Sequence, residues 1–197
     1  MNDRMIDETT GQAAVRYRKI VMWIHWITAI LVIMQVYIGF TFHNLPRGSE
    51  ERDFVFAWHK TWGALILLLA LVRLAVRLVN PPPPFPADYP KWKRAAAVWS
   101  HRLFYVLLIG LPLTGLAAVS GRAADGWVAL QLGMRIPAIP GIPKENDFGE
   151  VHELLVWVTL TLVAVHVAAA LYNQFVDRGP VANRMWPFRS TRRNLPD

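Results

Sequence analysis

Residues 151–176 read VHELLVWVTLTLVAVHVAAALYNQFV. The stretch holds one carboxylate, Glu153 close to its start, and no Lys or Arg. Crossing a hydrocarbon core takes about 20 apolar residues of helix, so these residues are expected to span a membrane. Two histidines interrupt the run, His152 and His166, 14 residues apart. On an α-helix that interval leaves them roughly 40° apart in direction and roughly 21 Å apart in height. Both therefore lie on one face, one near each side of the bilayer. An unpaired ionisable group at membrane depth is costly and marks a functional site by default.

Three further blocks are long enough to cross, roughly 20–42, 54–79 and 95–119, which with 151–176 give four spans. The expected fold is all-α: an integral membrane four-helix bundle, with residues 1–197 forming one transmembrane domain. Composition agrees. Of 197 residues 54% are hydrophobic and 18% charged, too little charge to cover a soluble domain of this size. There is no cysteine, which excludes disulfides, thiolate catalysis, Cys-ligated iron–sulfur clusters and Cys-attached haem. The first apolar block follows a polar stretch containing acids and bases, so it reads as a retained helix rather than a cleaved leader.

A net charge of +7 raises the question of nucleic acid, but the excess lies beside the apolar blocks, where it sets orientation instead. Arg16, Arg18 and Lys19 precede the first block. Arg73, Arg77, Lys91, Lys93, Arg94 and Arg102 flank the second connection, and Arg178, Arg184, Arg189, Arg192 and Arg193 lie in the tail. In the first and third connections Arg47, Arg52, Arg122, Arg135 and Lys144 are offset by Glu50, Glu51, Asp53, Asp125, Glu145, Asp147 and Glu150. Both termini and the second connection are thus expected in the cytoplasm. That connection includes NPPPPFP at 80–86, a stiff polyproline-like spacer. The long third connection carries a short apolar piece, Trp127–Leu132, expected to form a lid on the outer face.

Five histidines fall within or at the edges of the apolar blocks: His25, His59, His101, His152 and His166. His43 is expected in the loop after the first helix. The 14-residue interval of the fourth block recurs in the others, pairing His25 with Gly39, His59 with Arg73 and His101 with Gly115. Two stacked levels of this kind suit two haems, one above the other. A glycine lets a macrocycle approach the backbone, which gives Gly39, Gly115 and also Gly63, one turn beyond His59, a reading as cofactor-binding positions. Arg73 is suited to neutralise a propionate.

Level selects partners. The second and fourth helices enter from outside, so His59 and His152 form the expected axial pair of an outer haem. His25 and His166 form that of an inner haem. Two neutral imidazoles make a six-coordinate iron suited to electron transfer. His101, at the inner level, is a third candidate: a replacement ligand, a propionate partner, part of a quinone pocket, or a residue bonded only to a neighbouring helix. Trp23, Trp26, Trp58, Trp62, Trp92, Trp99 and Trp157 cluster near the predicted interfaces and read mostly as belt anchors. Pro112, between Gly110 and Gly115, makes the third helix a candidate for a kink.

The residues resemble the bacterial cytochrome b561 family of dihaem membrane proteins. The matching pieces are Ile24-His25-Trp26, His59 with Gly63, Arg73 with Arg77, and His101 followed by Tyr105. They continue with Leu111-Pro112-Leu113-Thr114-Gly115, His152-Glu153, and His166-Val167-Ala168-Ala169-Ala170-Leu171, and cover about residues 17–187. The resemblance implies two haem b groups, ligated by His25 with His166 and by His59 with His152. It also implies a place in the bacterial inner membrane and ubiquinone as electron acceptor. Some members imply oxidation of superoxide at the outer face. Where the quinone-reducing members tend to have histidine, this chain has Tyr172-Asn173-Gln174. Lys60, Arg122, Arg135 and Lys144 would draw a small anion to the outer side, partly offset by nearby acids.

The expected function is electron transfer through the bilayer, from a periplasmic donor, superoxide among the candidates, to ubiquinone. One alternative is the cytochrome b subunit of a larger hydrogenase or dehydrogenase; short outer loops favour the stand-alone protein. Another is a His-lined proton or metal transporter. Such transporters place carboxylates at midplane, and here no Asp or Glu occurs in the middle of any span.

Overall fold

Each apolar block becomes a helix in the computed structural model, which describes residues 4–7, 12–15 and 17–177. A two-stranded antiparallel ribbon, β1 (Arg4–Asp7) and β2 (Gln12–Val15), comes first. The helices follow as α1 (Lys19–Asn44), α2 (Glu50–Val79), α3 (Lys91–Ser120) and α4 (Phe148–Tyr172), the last ending in a π-helical turn, Asn173–Asp177. All four are long and apolar enough to cross a membrane. Arg16 and the tail arginines Arg178, Arg184, Arg189, Arg192 and Arg193 lie outside the described residues, as does the end of the expected match near 187.

The helices begin one to four residues ahead of the expected spans, in polar sequence, and in α2 a side-chain cap fixes the start. α2 starts at 50 rather than 54: Ser49 accepts a hydrogen bond from the Arg52 amide at 3.3 Å, and Glu50, Glu51 and Asp53 occupy the positive N-terminal turn. It stops at Asn80, just before the prolines disfavour further helix. α1 corrects the placement of His43. Nothing breaks the helix before Leu45, which precedes Pro46 and is extended, so His43 is helical, in the last turn and exposed. α3 runs without interruption through Pro112.

α1 packs chiefly on α2, α3 on α4, and α2 on α3; α1 and α4 hardly touch apart from the Phe40–Trp157 ring contact. Ile66, Ala70 and Leu108 form the buried centre, with Leu31, Val32 and Ile109 against them. Buried hydroxyls bond back to their own helices: Thr28 to the Ile24 carbonyl, Thr61 to Ala57, Ser120 to Leu116, Thr159 to Leu155. Leu78, Val79, Ile33 and Tyr37 are among many large apolar side chains left exposed. Apolar surface on that scale fits a lipid environment rather than water.

The expected lid is a hairpin, β3 (Trp127–Ala129) and β4 (Arg135–Pro137), with Val128 opposite Ile136. Val128 is buried beneath it. Gln131, at the turn, donates its amide to Thr61 Oγ1 at 2.9 Å and its side-chain NH₂ to the Phe54 carbonyl at 3.1 Å, both on α2. The Ile139 amide donates to Ser120 Oγ at 3.0 Å on α3. Gly121 is required here, since a Cβ would overlap the Pro143 carbonyl.

Candidate functional site

Histidines converge at two levels of the bundle: an upper one near the α1–α2 and α3–α4 connections, and a lower one near the start of α1 and the end of α4. The buried centre around Ile66 and Leu108 lies between them. At the upper level His59 of α2 and His152 of α4 face each other with ring centroids 6.2 Å apart and planes at 83°. His152 Nδ1 lies 2.8 Å from the Leu111 carbonyl. A carbonyl only accepts, so Nδ1 carries the proton and Nε2 keeps its lone pair. That is the tautomer a ligating histidine adopts when its second nitrogen is held by backbone.

Glycines make room for both rings. A Cβ on Gly39 would lie 3.3 Å from His59 Cε1, and one on Gly115 3.0 Å from His152 Cε1. The group each glycine admits here is thus an imidazole. Gly63 admits Gln35: a Cβ there would lie 3.3 Å from Gln35 Nε2, which donates to the His59 carbonyl at 2.8 Å. Phe42 and Phe56 flank the His59 ring at 5.1 and 6.4 Å between centroids. Their own faces carry cations, Arg52 at 5.6 Å over Phe42 and Lys60 at 5.3 Å over Phe56.

The lower level brings together His25, Arg73, His101 and His166. Arg73 Nη2 lies 3.0 Å from His25 Nδ1. Guanidinium has only donors, so Nδ1 accepts. His101 Nδ1 donates to the Ala97 carbonyl, one turn back on its own helix, at 2.6 Å. The His101 and His166 rings stand 5.7 Å apart, with Phe104 5.1 Å from His166. Arg73 also lies 5.8 Å from the Tyr105 ring. Tyr17, Arg77 and Asn80 join Arg73, His101 and Tyr105 around a small pocket on this side, which Val21, Ile24 and Val76 also line.

This donor set fits haem better than a bare ion. Among the described residues no three His, Asp or Glu side chains, the three lower histidines included, are placed to hold one metal ion together. Pairs of histidines suit a metal that arrives with its equatorial ligands already in place. A transition metal lies about 2 Å from a ring nitrogen, so two imidazoles on opposite faces of one iron stand with centroids about 6 Å apart. His59 and His152, at 6.2 Å, meet that spacing.

Sequence spacing found the histidines, but not Gln35 or the Leu111 carbonyl. Both act across a helix–helix contact; the only local signal was a polar Gln inside an otherwise apolar span.

Residues 16–188 match the family model described as prokaryotic cytochrome b561. Two proteins of Escherichia coli strain K12 are similar in sequence. Cytochrome b561 homolog 1 is 26% identical over 177 residues, covering 88% of this chain and 98% of the relative. Cytochrome b561 homolog 2 is 28% identical over 177 residues, covering 86% and 90%. A Yersinia pestis protein named probable superoxide oxidase CybB is 29% identical over 177 residues, covering 87% and 96%.

Proposed function

This chain belongs to the prokaryotic cytochrome b561 family, a multi-pass b-type cytochrome of the bacterial inner membrane, and from that premise we propose that it carries electrons between two haems stacked across the bilayer. His59 with His152 hold the upper iron, and His25 with His166 the lower. The facing pair at 6.2 Å, with His152 locked in a ligating tautomer, carries the reading.

Packing supports the choice of His25 over His101 as partner of His166. Helices in direct contact run about 8–10 Å apart, too close for a macrocycle held between histidines of both. α3 and α4, which bear His101 and His166, are in such contact; α1 and α4 hardly touch. The upper pair likewise comes from α2 and α4, which do not pack closely. Arg73 now donates to His25 Nδ1, an arrangement that puts the ring's proton on Nε2; for His25 to ligate, Arg73 would turn from the ring to a propionate as a charge-assisted donor.

Haem supplies one-electron exchange at each level. The chain supplies the rest. Two imidazoles holding each iron favour electron transfer over ligand binding. Ile66, Ala70 and Leu108 exclude water between the levels. The upper end faces the periplasm by the distribution of basic residues. There Lys60, Arg122 and Lys144 attract an anionic donor, for which superoxide is the candidate because a relative is named probable superoxide oxidase. Two superoxide anions each give up one electron and leave as dioxygen. One ubiquinone takes both electrons with two protons and becomes ubiquinol.

Superoxide decay with ubiquinone present tests this. Purified, haem-loaded protein speeds the decay and yields ubiquinol, and His59→Ala abolishes the gain. Decay at the same rate with and without the protein would rule out superoxide as the donor.

A further inference from the structure

Arg52 lies in the first turn of α2, seven residues before His59. Seven residues are about two helical turns, so the two share one face of α2 roughly 10 Å apart along the axis. Gly63 and Arg73 lie on the same stripe. Ring contacts link Arg52 to His59 through Phe42: the guanidinium stands 5.6 Å from the Phe42 centroid, and that ring 5.1 Å from the imidazole. Arg52 Nε is buried and has no hydrogen-bond partner. Among the described residues the ion pairs are Lys93–Asp177 and Arg135–Asp125, so none of their carboxylates pairs with Arg52. Its acidic neighbours Glu50, Glu51 and Asp53 are exposed. The Nε donor is buried without an acceptor while the side chain as a whole is only half-buried, which leaves a cation at the rim of the bundle able to take an anionic oxygen supplied by something other than this chain.

We propose that Arg52 binds a carboxylate of the upper haem and thereby raises that haem's reduction potential. The proposal rests on the two-haem reading above. Propionates are the charged edge of the group and would be best solvated at the aqueous end of the bundle, where Arg52 lies. A fixed positive charge there disfavours the extra positive charge of the ferric state.

The test is a redox titration of the full-length, haem-loaded protein in detergent. A wild-type haem:protein ratio of two is established first; a ratio of one sinks the two-haem reading rather than this inference. The wave lost in His59→Ala identifies the upper haem. Arg52→Gln is then expected to shift the upper-haem equilibrium at least tenfold towards the oxidised form, which is 59 mV for one electron. The lower wave stays in place. Arg52→Lys shifts the upper wave by less, and serves alone if the Gln variant fails to accumulate. Arg47→Gln, which removes an exposed cation at the same end, moves neither wave. Unmoved waves in Arg52→Gln would overturn the proposal, as would an equal shift in Arg47→Gln. So would a wild-type upper wave that follows added phosphate at constant ionic strength, since the site would then hold a free anion.

Discussion

At the upper level the partner of one imidazole nitrogen governs what the other can do. His152 gives its Nδ1 proton to Leu111, and the ring rests where Gly115 has no side chain. Gly115→Ala puts a methyl group 3.0 Å from His152 Cε1; overpacking of that kind costs about 1–3 kcal/mol. The expected result is a haem:protein ratio falling towards one, with the helical circular dichroism unchanged. At the lower level Arg73 is the cation nearest His25. Arg73→Gln is expected to lower the potential of the lower haem and leave the upper one in place, read by redox titration. The histidines and Arg73 were legible from a 14-residue interval, because a helix converts spacing into direction without help from its neighbours. Gln35, bonded to the His59 carbonyl, was not legible. Its partner lies 24 positions away, and only the packing of α1 on α2 brings the two together.

Among the elements, the spans were readable from hydropathy and their ends were not. Hydropathy marks where lipid begins, whereas local backbone and capping chemistry marks where a helix starts and stops: α2 starts four residues before the expected span and α1 ends two residues after it. The lid between α3 and α4 was legible as an apolar piece. Its hairpin and its latch to α2 depend on tertiary contacts. Gln131 holds it through two hydrogen bonds, to Thr61 and Phe54. Thr61→Val removes one of them, a net loss of about 1 kcal/mol. Amide exchange across 127–137 is then expected to speed roughly fivefold, while exchange in the middle of α2 stays unchanged. No change in the lid amides would mean that the latch contributes nothing to its closure.

For the molecule as a whole, the bundle presents apolar side chains outward and keeps its polar groups at two levels separated by a small core. This arrangement follows from solvation: in lipid the outward face needs no charge, so inward positions carry the chemistry. The charge distribution predicts the orientation: a reporter fused to the C-terminus is expected to be active in the cytoplasm. Stacked haems on opposite sides of the Ile66–Leu108 core are the central claim. The most direct measurement is a reduced-minus-oxidised visible spectrum of the purified protein, taken with its haem:protein ratio. The account predicts two b-type haems per chain, one lost in His59→Ala or His152→Ala, and the other lost in His25→Ala but retained in His101→Ala. A preparation without haem, or a single haem untouched by His59→Ala and His152→Ala, would contradict it.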